Sequence, residues 1–470
     1  MERLVHVELV IRCVLVGTIC GAAPWARCDT MVLKERFRAS LPLHTPVNVV
    51  IGRLNGETLY CVQGDVVRDG RRIAAVAVVD SAGHTSRTFE EPGPTGNSQA
   101  GAYLHWIAGD DGPMVLFSWV PDSDAVPGGA NLVRLRDGEV VARIRNTTRF
   151  GNNNSMICDL DGDGRTDLLY ADQQTLSLHA LPDANRRWRV DTGIHFCWSL
   201  PALVDLPGKR QAIVFGSEYN NPDGTSSLVA LDMRGNVLWR TDGHAEDLGS
   251  TPVAVADVDG DGTDELLKVG LDLEHRQAQE WNHLHVFSKT GALRSRVALG
   301  FTGIAIANFD GDPALEGIGI SNSRDGGSNG RREIRCMDLA SGKLEWARPV
   351  DRVYLDDTSP VAGDFNGDGT PDAVVGTGNP AGYARLPDSE PWGEQYVVSN
   401  TGDILQRIKL PGRPVNSALC DTDGDGLAEL ITVIDGAPGS LVVYATGARS
   451  ARRDWPTPFG SVRRDGTIWP

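Results

Sequence analysis

An all-β propeller of seven or eight four-stranded blades is the fold that this 470-residue sequence predicts. Three observations lead to it: an acidic loop motif recurs along the chain, its copies are spaced by roughly fifty residues, and apolar runs typical of β-strands flank each copy. A repeat of that length suits one four-stranded blade. The number of repeat starts favours eight blades.

The motif is a nine-residue loop with oxygen-bearing side chains at positions 1, 3, 5 and 9 and, in most copies, Gly at position 6. Weaker copies near Arg53, Asp110 and Asp205 complete a series of eight starts. Separate small domains in tandem would need linkers, and the sequence shows none. The five clear copies are DLDGDGRTD from Asp159, DVDGDGTDE from Asp257, NFDGDPALE from Asn308, DFNGDGTPD from Asp364 and DTDGDGLAE from Asp421.

Each repeat continues with further strands after its acidic loop. The runs TPVAVA and LLKVG flank the loop at Asp257, and strand-turn-strand segments such as LHVFSKTGALR follow. Amphipathic helical spacing is absent. We therefore expect strands A, B, C and D in each blade, with the acidic loop as the turn from A to B.

The N-terminus has the pattern of a secretory signal. A basic start and the apolar segment CVLVGTICGAA end in small residues, with cleavage expected after Ala23 or Ala26. The alternative is a short buried strand, because charged residues interrupt the apolar run. We expect residues 1–26 to be the signal peptide, residues 27–450 the propeller and residues 451–470 its closing segment. No later run approaches the ~20 apolar residues of a membrane span, so a secreted protein, extracellular or periplasmic, is expected.

The formal net charge of −17 argues against nucleic acid as a partner, and no basic stripe offsets it. Signatures of a P-loop, a zinc site or a serine triad are absent. Six of the eight cysteines would remain after signal removal, and their wide spacing shows neither a CxxC pair nor a compact disulfide framework.

Asp and Asn oxygens that alternate along a glycine-rich loop predict a calcium site, because calcium prefers six to eight oxygen ligands. An EF-hand shares the D-x-D-x-D-G opening but needs its Glu at position 12 and flanking helices, whereas here the acid is at position 9 and a strand follows. Asp and Gly are also common turn formers, but five copies in register disfavour that explanation. We expect up to five calcium ions.

The expected ligands of the Asp159 loop include one main-chain oxygen, and the other four loops follow its side-chain pattern. Pro313 replaces Gly in the Asn308 loop, which is therefore the first we would expect to lack an ion. The ligands are Asp159, Asp161, Asp163, the carbonyl of Arg165 and Asp167; Asp257, Asp259, Asp261 and Glu265; Asn308, Asp310, Asp312 and Glu316; Asp364, Asn366, Asp368 and Asp372; and Asp421, Asp423, Asp425 and Glu429.

This pattern resembles the FG-GAP (VCBS) repeats of integrin-α propellers and of many exported bacterial proteins, over most of residues 45–450. The resemblance implies the fold and the calcium loops, and it specifies no activity. The strands that contain Trp188, Trp239 and Trp346 are also similar to the Trp-docking strands of quinoprotein propellers, where the Trp packs between blades. The adjacent Cys pair of many quinoprotein dehydrogenases is missing, so no quinone cofactor is expected from this similarity. The tail from Asp454 resembles the closing segment of bacterial propellers of this mixed type.

Ligands are expected on the face opposite to the acidic loops, as the resemblance to integrin propellers implies. The B to C and D to A connections lie on that face, and several are long and varied in sequence. A binding or adhesion module for a polysaccharide or an extracellular protein is one function that suits such a face, with aromatic side chains stacking on sugar rings or anchoring a protein. The candidate ligand-binding residues are Arg149, Trp198, Asn220, Trp281 and His283.

A polysaccharide lyase is the alternative function, because rhamnogalacturonan lyases and ulvan lyases also use propellers. β-Elimination needs a cation beside the uronate carboxylate, a base for the C5 proton and an acid for the leaving oxygen. The sequence offers two candidates for each role, namely Arg352 or Arg413, His195 or His244, and Tyr219 or Tyr354.

Overall fold

The computed structural model describes residues 32–91, 96–97, 104–107, 109, 112–121, 128–145, 154–160, 165–172, 175–193, 201–206, 210–217, 224–249, 251, 253–271, 282–301, 303–321, 332–353, 360–379 and 391–449. All regular structure in these residues is β, without a helix, and it forms eight four-stranded antiparallel blades. The prediction of an all-β propeller with eight blades is confirmed. The described part contains no helix long and apolar enough to cross a membrane.

The strands follow one another blade by blade, except that the first strand, β1 (Lys34–Ser40), belongs to blade 8. Blade 1 contains β2 (His44–Leu54), β3 (Glu57–Arg68), β4 (Arg71–Val79) and β5 (Thr85–Glu90); the short β6 (Gly96–Asn97) links it to blade 2, which contains β7 (Leu104–Ile107), β8 (Met114–Pro121), β9 (Gly129–Arg134) and β10 (Val140–Arg145). Blade 3 contains β11 (Asn154–Cys158), β12 (Asp167–Asp172), β13 (Thr175–Ala180) and β14 (Asn185–Asp191), and blade 4 contains β15 (Ala202–Leu206), β16 (Arg210–Gly216), β17 (Ser226–Leu231) and β18 (Val237–His244).

Blade 5 contains β19 (Val253–Ala256), β20 (Glu265–Leu271), β21 (Asn282–Phe287) and β22 (Leu293–Ala298), and blade 6 contains β23 (Ala305–Ala307), β24 (Glu316–Ile320), β25 (Glu333–Asp338) and β26 (Leu344–Pro349). Blade 7 contains β27 (Val361–Gly363), β28 (Asp372–Asn379), β29 (Trp392–Val398) and β30 (Ile404–Leu410). Blade 8 contains β31 (Pro414–Cys420), β32 (Leu427–Ile434), β33 (Ser440–Arg449) and β1.

The ring is closed by the N-terminal strand. β1 pairs antiparallel with β33 and so becomes the outer strand of the last blade, with Ser40 opposite Ser440 in the register. No sequence pattern predicted this pairing. The segment 451–470, expected to close the propeller, lies outside the described residues.

Burial falls from the inner strands of a blade to its outer strand. Every residue of β17, β24 and β28 is buried, whereas β22 and β26 are largely exposed or half-buried. The apolar core lies between neighbouring blades, because one continuous cluster takes in Val269 of blade 5, Ile318 of blade 6 and Tyr396 of blade 7. The strand β24 is buried on both faces, as a strand between two neighbouring sheets must be.

Tryptophans of the outer strands pack against the next blade, as their similarity to Trp-docking strands implied. The indole Nε1 of Trp188 donates to the carbonyl of Met233 at 3.0 Å, and that of Trp346 to the carbonyl of Asn400 at 2.7 Å. Trp239 lies so close to Gly291 that a Cβ there would be 2.6 Å from its ring. The expected packing between blades is confirmed.

Candidate metal loops and the opposite face

The acidic loops occupy the A to B turns of blades 3, 5, 6, 7 and 8, as the spacing predicted. In the loops of blades 5 and 7, the carboxylate at position 1 accepts the backbone N–H of the glycine at position 6. The distance is 2.8 Å for Asp257 and 2.9 Å for Asp364. The glycine at that position has a positive φ, +85° at Gly262 and +96° at Gly369, which a residue with a Cβ rarely adopts. These contacts turn the loop tightly around its own carboxylates.

The acid at position 9 is buried in every one of these loops, with an exposed fraction of at most 1%. One of its oxygens always accepts the backbone N–H of position 2. The distances are 3.2 Å from Leu160 to Asp167, 3.2 Å from Val258 to Glu265, 2.7 Å from Phe309 to Glu316, 3.0 Å from Phe365 to Asp372 and 2.8 Å from Thr422 to Glu429. This bond leaves the second oxygen of the acid for another partner, such as the Asn366 amide that donates to Asp372 at 3.4 Å.

Carboxylates converge in three of the loops. Ligand oxygens lie within 4.8 Å of one another in the sets Asp257, Asp259 and Glu265; Asp310, Asp312 and Glu316; and Asp421, Asp423 and Asp425. Burial and the neighbouring negative charges raise the pKa of Glu316 to about 7 and that of Asp372 to about 8. A divalent cation would relieve this repulsion.

The donor chemistry fits calcium. All the converging atoms are carboxylate oxygens, which are hard ligands. In the Asp364 loop, the Oδ1 atom of Asp364 is buried and has no hydrogen-bond partner among the described residues. An unsatisfied buried carboxylate oxygen is costly unless a cation meets it.

The Asn308 loop departs from the pattern. Asn308 donates from Nδ2 to the carbonyl of Asp312 and accepts the N–H of Gly311 at 2.7 Å, so its amide serves the loop itself. Asp310, Asp312 and Glu316 still come together. The expectation that Pro313 leaves this loop without an ion stays a prediction.

In the Asp159 loop, Asp161 and Asp163 lie outside the described residues, and Arg165 is exposed.

Three acidic loops are paired with an arginine that sequence reasoning missed. Arg187 lies 3.4 Å from Asp167 and Arg294 lies 2.5 Å from Glu265, each pairing with the second oxygen of the position 9 acid. Arg36 on β1 lies 3.0 Å from Glu429 and also 2.5 Å from Asp423. The one available signal was an Arg directly before a large aromatic residue in Arg36–Phe37 and Arg187–Trp188.

On the opposite face, a buried glutamate gathers two histidines and an arginine. His283 Nδ1 and His285 Nε2 each lie 2.6 Å from an oxygen of Glu246, and Arg296 donates to the same carboxylate. Burial alone would raise the pKa of Glu246, but these hydrogen bonds lower it to about 2. His244 packs edge-on against His285 with the ring centroids 5.8 Å apart, and burial lowers its pKa to about 4. His244 and His283 were sequence candidates, whereas Glu246, His285 and Arg296 were not.

The other described candidates of this face lie in different blades. Arg352 stacks over the ring of Trp392 at 4.2 Å, and the carbonyl of Arg413 accepts the N–H of Asp435 at 2.8 Å. The candidates His195, Tyr219, Tyr354, Arg149, Trp198, Asn220 and Trp281 lie outside the described residues. Within the described part, the contacts of His244 and those of Arg352 form two separate groups, so no histidine, tyrosine and arginine are seen to converge.

No protein-family description matches the sequence, and no curated protein is similar to it. Three solved structures share its architecture. They are the Dos1 propeller (9% identity, TM-score 0.54, 88% of this chain and 95% of that chain covered), a europium-containing methanol dehydrogenase (10%, 0.52, 88% and 93%) and the quinohemoprotein alcohol dehydrogenase ADHIIG from Pseudomonas putida HK5 (10%, 0.52, 89% and 76%). Identities this low show the fold alone. The comparisons therefore agree with the strand pairing that this chain is a β-propeller.

Proposed function

We propose that this chain is an exported, calcium-binding β-propeller that acts as a binding or adhesion module. Its acidic loops hold calcium on one face, and the opposite face takes up a polysaccharide or an extracellular protein. The observation that carries the proposal is the convergence of carboxylates at the equivalent turn of blades 5, 6 and 8. The secretory pattern at the N-terminus supports export into an environment where calcium is abundant enough for sites of moderate affinity.

Two features expected on the opposite face support recognition of a large ligand. The connections there are long and rich in aromatic, amide and basic residues, and the stacked pair of Arg352 and Trp392 has one cationic and one aromatic member. Flat aromatic rings suit sugar faces, and arginine suits uronate or protein carboxylates. The proposed partner is therefore a polysaccharide or a protein surface that carries carboxylates.

Calcium binding is tested by isothermal titration of the chelator-stripped full chain. We expect saturable binding with a dissociation constant of about 10⁻⁴ M or tighter, and loss of one site in Asp364→Asn. The control is Asp403→Asn, which removes the same charge from an exposed turn of the same blade. Absence of any calcium signal in the unaltered chain would refute the proposal.

A polysaccharide lyase is the second candidate, favoured by one observation. Histidines, which most often act as general bases, gather with Arg296 beside the Glu246 carboxylate on this face, where His283 and His285 contact it and His244 packs edge-on against His285. Burial lowers the pKa of His244 to about 4, so its imidazole is neutral near pH 7 and only weakly basic. Ultraviolet absorbance of an unsaturated sugar product, measured on a panel of uronate-containing polysaccharides, distinguishes the two functions. Product formation that is lost in His244→Gln supports the lyase, and binding without product supports the module.

A further inference from the structure

The outer strand of every blade has an extra residue at the same place. The register between the third and fourth strands shifts by one residue beside the A to B turn in all eight blades. Such a bulge directs its extra side chain away from the regular alternation. The bulge residues from blade 1 to blade 8 are Ser86, Val141, Arg187, Leu238, Arg294, Glu345, Leu405 and Arg36.

Arginine occupies the bulge position only beside acidic loops. Blades 1, 2 and 4, whose loops have lost the acidic motif, carry Ser86, Val141 and Leu238. Arginine is found only where the loop is acidic, in blades 3, 5 and 8, and each of these arginines pairs with the buried acid at position 9. The bulge is therefore a fixed position from which a cation can reach the metal loop.

Two acidic loops have no such arginine. In blade 6 the bulge residue is Glu345, whose carboxylate pairs with Lys343 at 2.9 Å, and in blade 7 it is the uncharged Leu405. Among the residues that the structure describes, no basic side chain pairs with Glu316 or Asp372. The unpartnered Oδ1 atom of Asp364 belongs to one of these two loops.

We propose that the bulge residue divides the acidic loops into two classes, those neutralised by an internal guanidinium and those that depend on calcium. The inference rests on the proposed calcium function and predicts which of the loops bind calcium tightly. The loops of blades 6 and 7 bind calcium tightly, whereas those of blades 3, 5 and 8 bind it weakly and keep their fold without it.

The physical reason is competition for one oxygen. The guanidinium of Arg294 or Arg36 holds the second oxygen of the position 9 acid, which a metal at the loop would also need. The positive charge of the guanidinium would also repel a divalent ion bound at the same carboxylate, even at the high effective dielectric of a protein surface. We expect the arginine to weaken calcium binding at its loop at least about tenfold. The Asn308 loop has no such arginine. We expect this absence to matter more than the replacement of Gly by Pro313, so this loop is expected to bind calcium.

Moving the arginine tests the inference in both directions. Isothermal titration of calcium into the chelator-stripped full chain is expected to show two tight sites. Leu405→Arg places a guanidinium beside the blade 7 loop and is expected to leave one tight site, and Arg294→Leu is expected to add a third. Leu238→Arg makes the same substitution in blade 4, which has no acidic motif, and is expected to change nothing.

The outcomes separate this inference from the calcium proposal. If the unaltered chain binds no calcium, both are overturned. If it binds calcium with equal affinity at every loop, and neither Leu405→Arg nor Arg294→Leu changes the number of tight sites, the two classes do not exist although calcium binding stands. Thermal unfolding in EGTA checks that each variant folds, and Arg294→Leu alone carries the test should Leu405→Arg be unfolded.

Discussion

Glu246 is the buried carboxylate that holds two histidines and an arginine together on the face opposite to the acidic loops. It is 2% exposed, and its carboxylate accepts hydrogen bonds from His283, His285 and Arg296. Gly270 makes room for this cluster, because a Cβ there would lie 2.5 Å from the Oε2 atom of Glu246. A buried charge held by several partners is costly to remove, since its partners are left uncompensated.

We expect Glu246→Gln to lower the free energy of unfolding by about 3 to 5 kcal/mol. The native pKa of about 2 is below the ordinary 4.5, so the ionised carboxylate stabilises the fold above pH 4.5, and this contribution disappears as the pH falls through 2. Urea unfolding at pH 7 and at pH 3 measures both effects. The control Glu345→Gln, on an exposed pair, should cost less than about 1 kcal/mol. Equal losses in the two variants would contradict this account.

The acids of the loops were predictable from the sequence, whereas their arginines were not. The acids recur at fixed positions within nine residues, so a local pattern reveals them. Arg36 lies 387 positions from its partner Asp423, and only the closed ring brings the two together. The Glu246 cluster was likewise hidden, because His283 and Glu246 belong to different blades and share no motif.

At the scale of the strand, the blades are joined by aromatic side chains that lie over glycines. Trp188, Trp239 and Trp346 each meet a glycine of positive φ in the next blade, at Gly235, Gly291 and Gly402 respectively. Where blade 7 has Gln406 at the equivalent place, its amide bonds both the N–H and the carbonyl of Leu33 instead. The sequence predicted the tryptophan contacts through their similarity to docking strands, but Gln406 has no such signature.

We expect Gly291→Ala to destabilise the protein more than Gly56→Ala. Both glycines have a positive φ near +84°, so both variants incur backbone strain of about 1 to 2 kcal/mol. At Gly291 the new Cβ would also meet the ring of Trp239 at 2.6 Å, which adds about 1 to 3 kcal/mol; nothing lies within 4 Å of a Cβ at Gly56. Chemical denaturation of both variants measures the difference, and equal losses would show that the interblade contact is unimportant.

At the scale of the molecule, stability depends on the closure of the ring by β1. This strand brings Ala39 into the core next to blade 1 and carries Arg36 to the loop of blade 8, so one segment contributes to packing, pairing and loop charge. The eightfold repeat predicted the number of blades because the spacing is regular. It could not predict which terminus completes the last blade, since an isolated strand of seven residues has no motif.

A disulfide between Ser40→Cys and Ser440→Cys tests this closure. The two residues are partners in the register of β1 and β33, at a separation that a disulfide can bridge. We expect the bond to form in the folded protein and to raise its stability by about 2 to 4 kcal/mol relative to the reduced form. The single variant Ser40→Cys serves as the control. Failure of the two thiols to join under oxidising conditions would argue against the pairing.

The measurement that bears most directly on the whole account is calorimetric unfolding of the full chain in excess calcium and in EGTA, with magnesium as the control ion. If the acidic loops hold calcium, each site occupied at ten times its dissociation constant adds about 1.4 kcal/mol to the free energy of unfolding. We predict a clear rise in melting temperature with calcium, concentrated in the contribution of blades 6 and 7 and therefore reduced in Asp364→Asn. An identical melting temperature in calcium and in EGTA would contradict the central claim that these loops are metal sites.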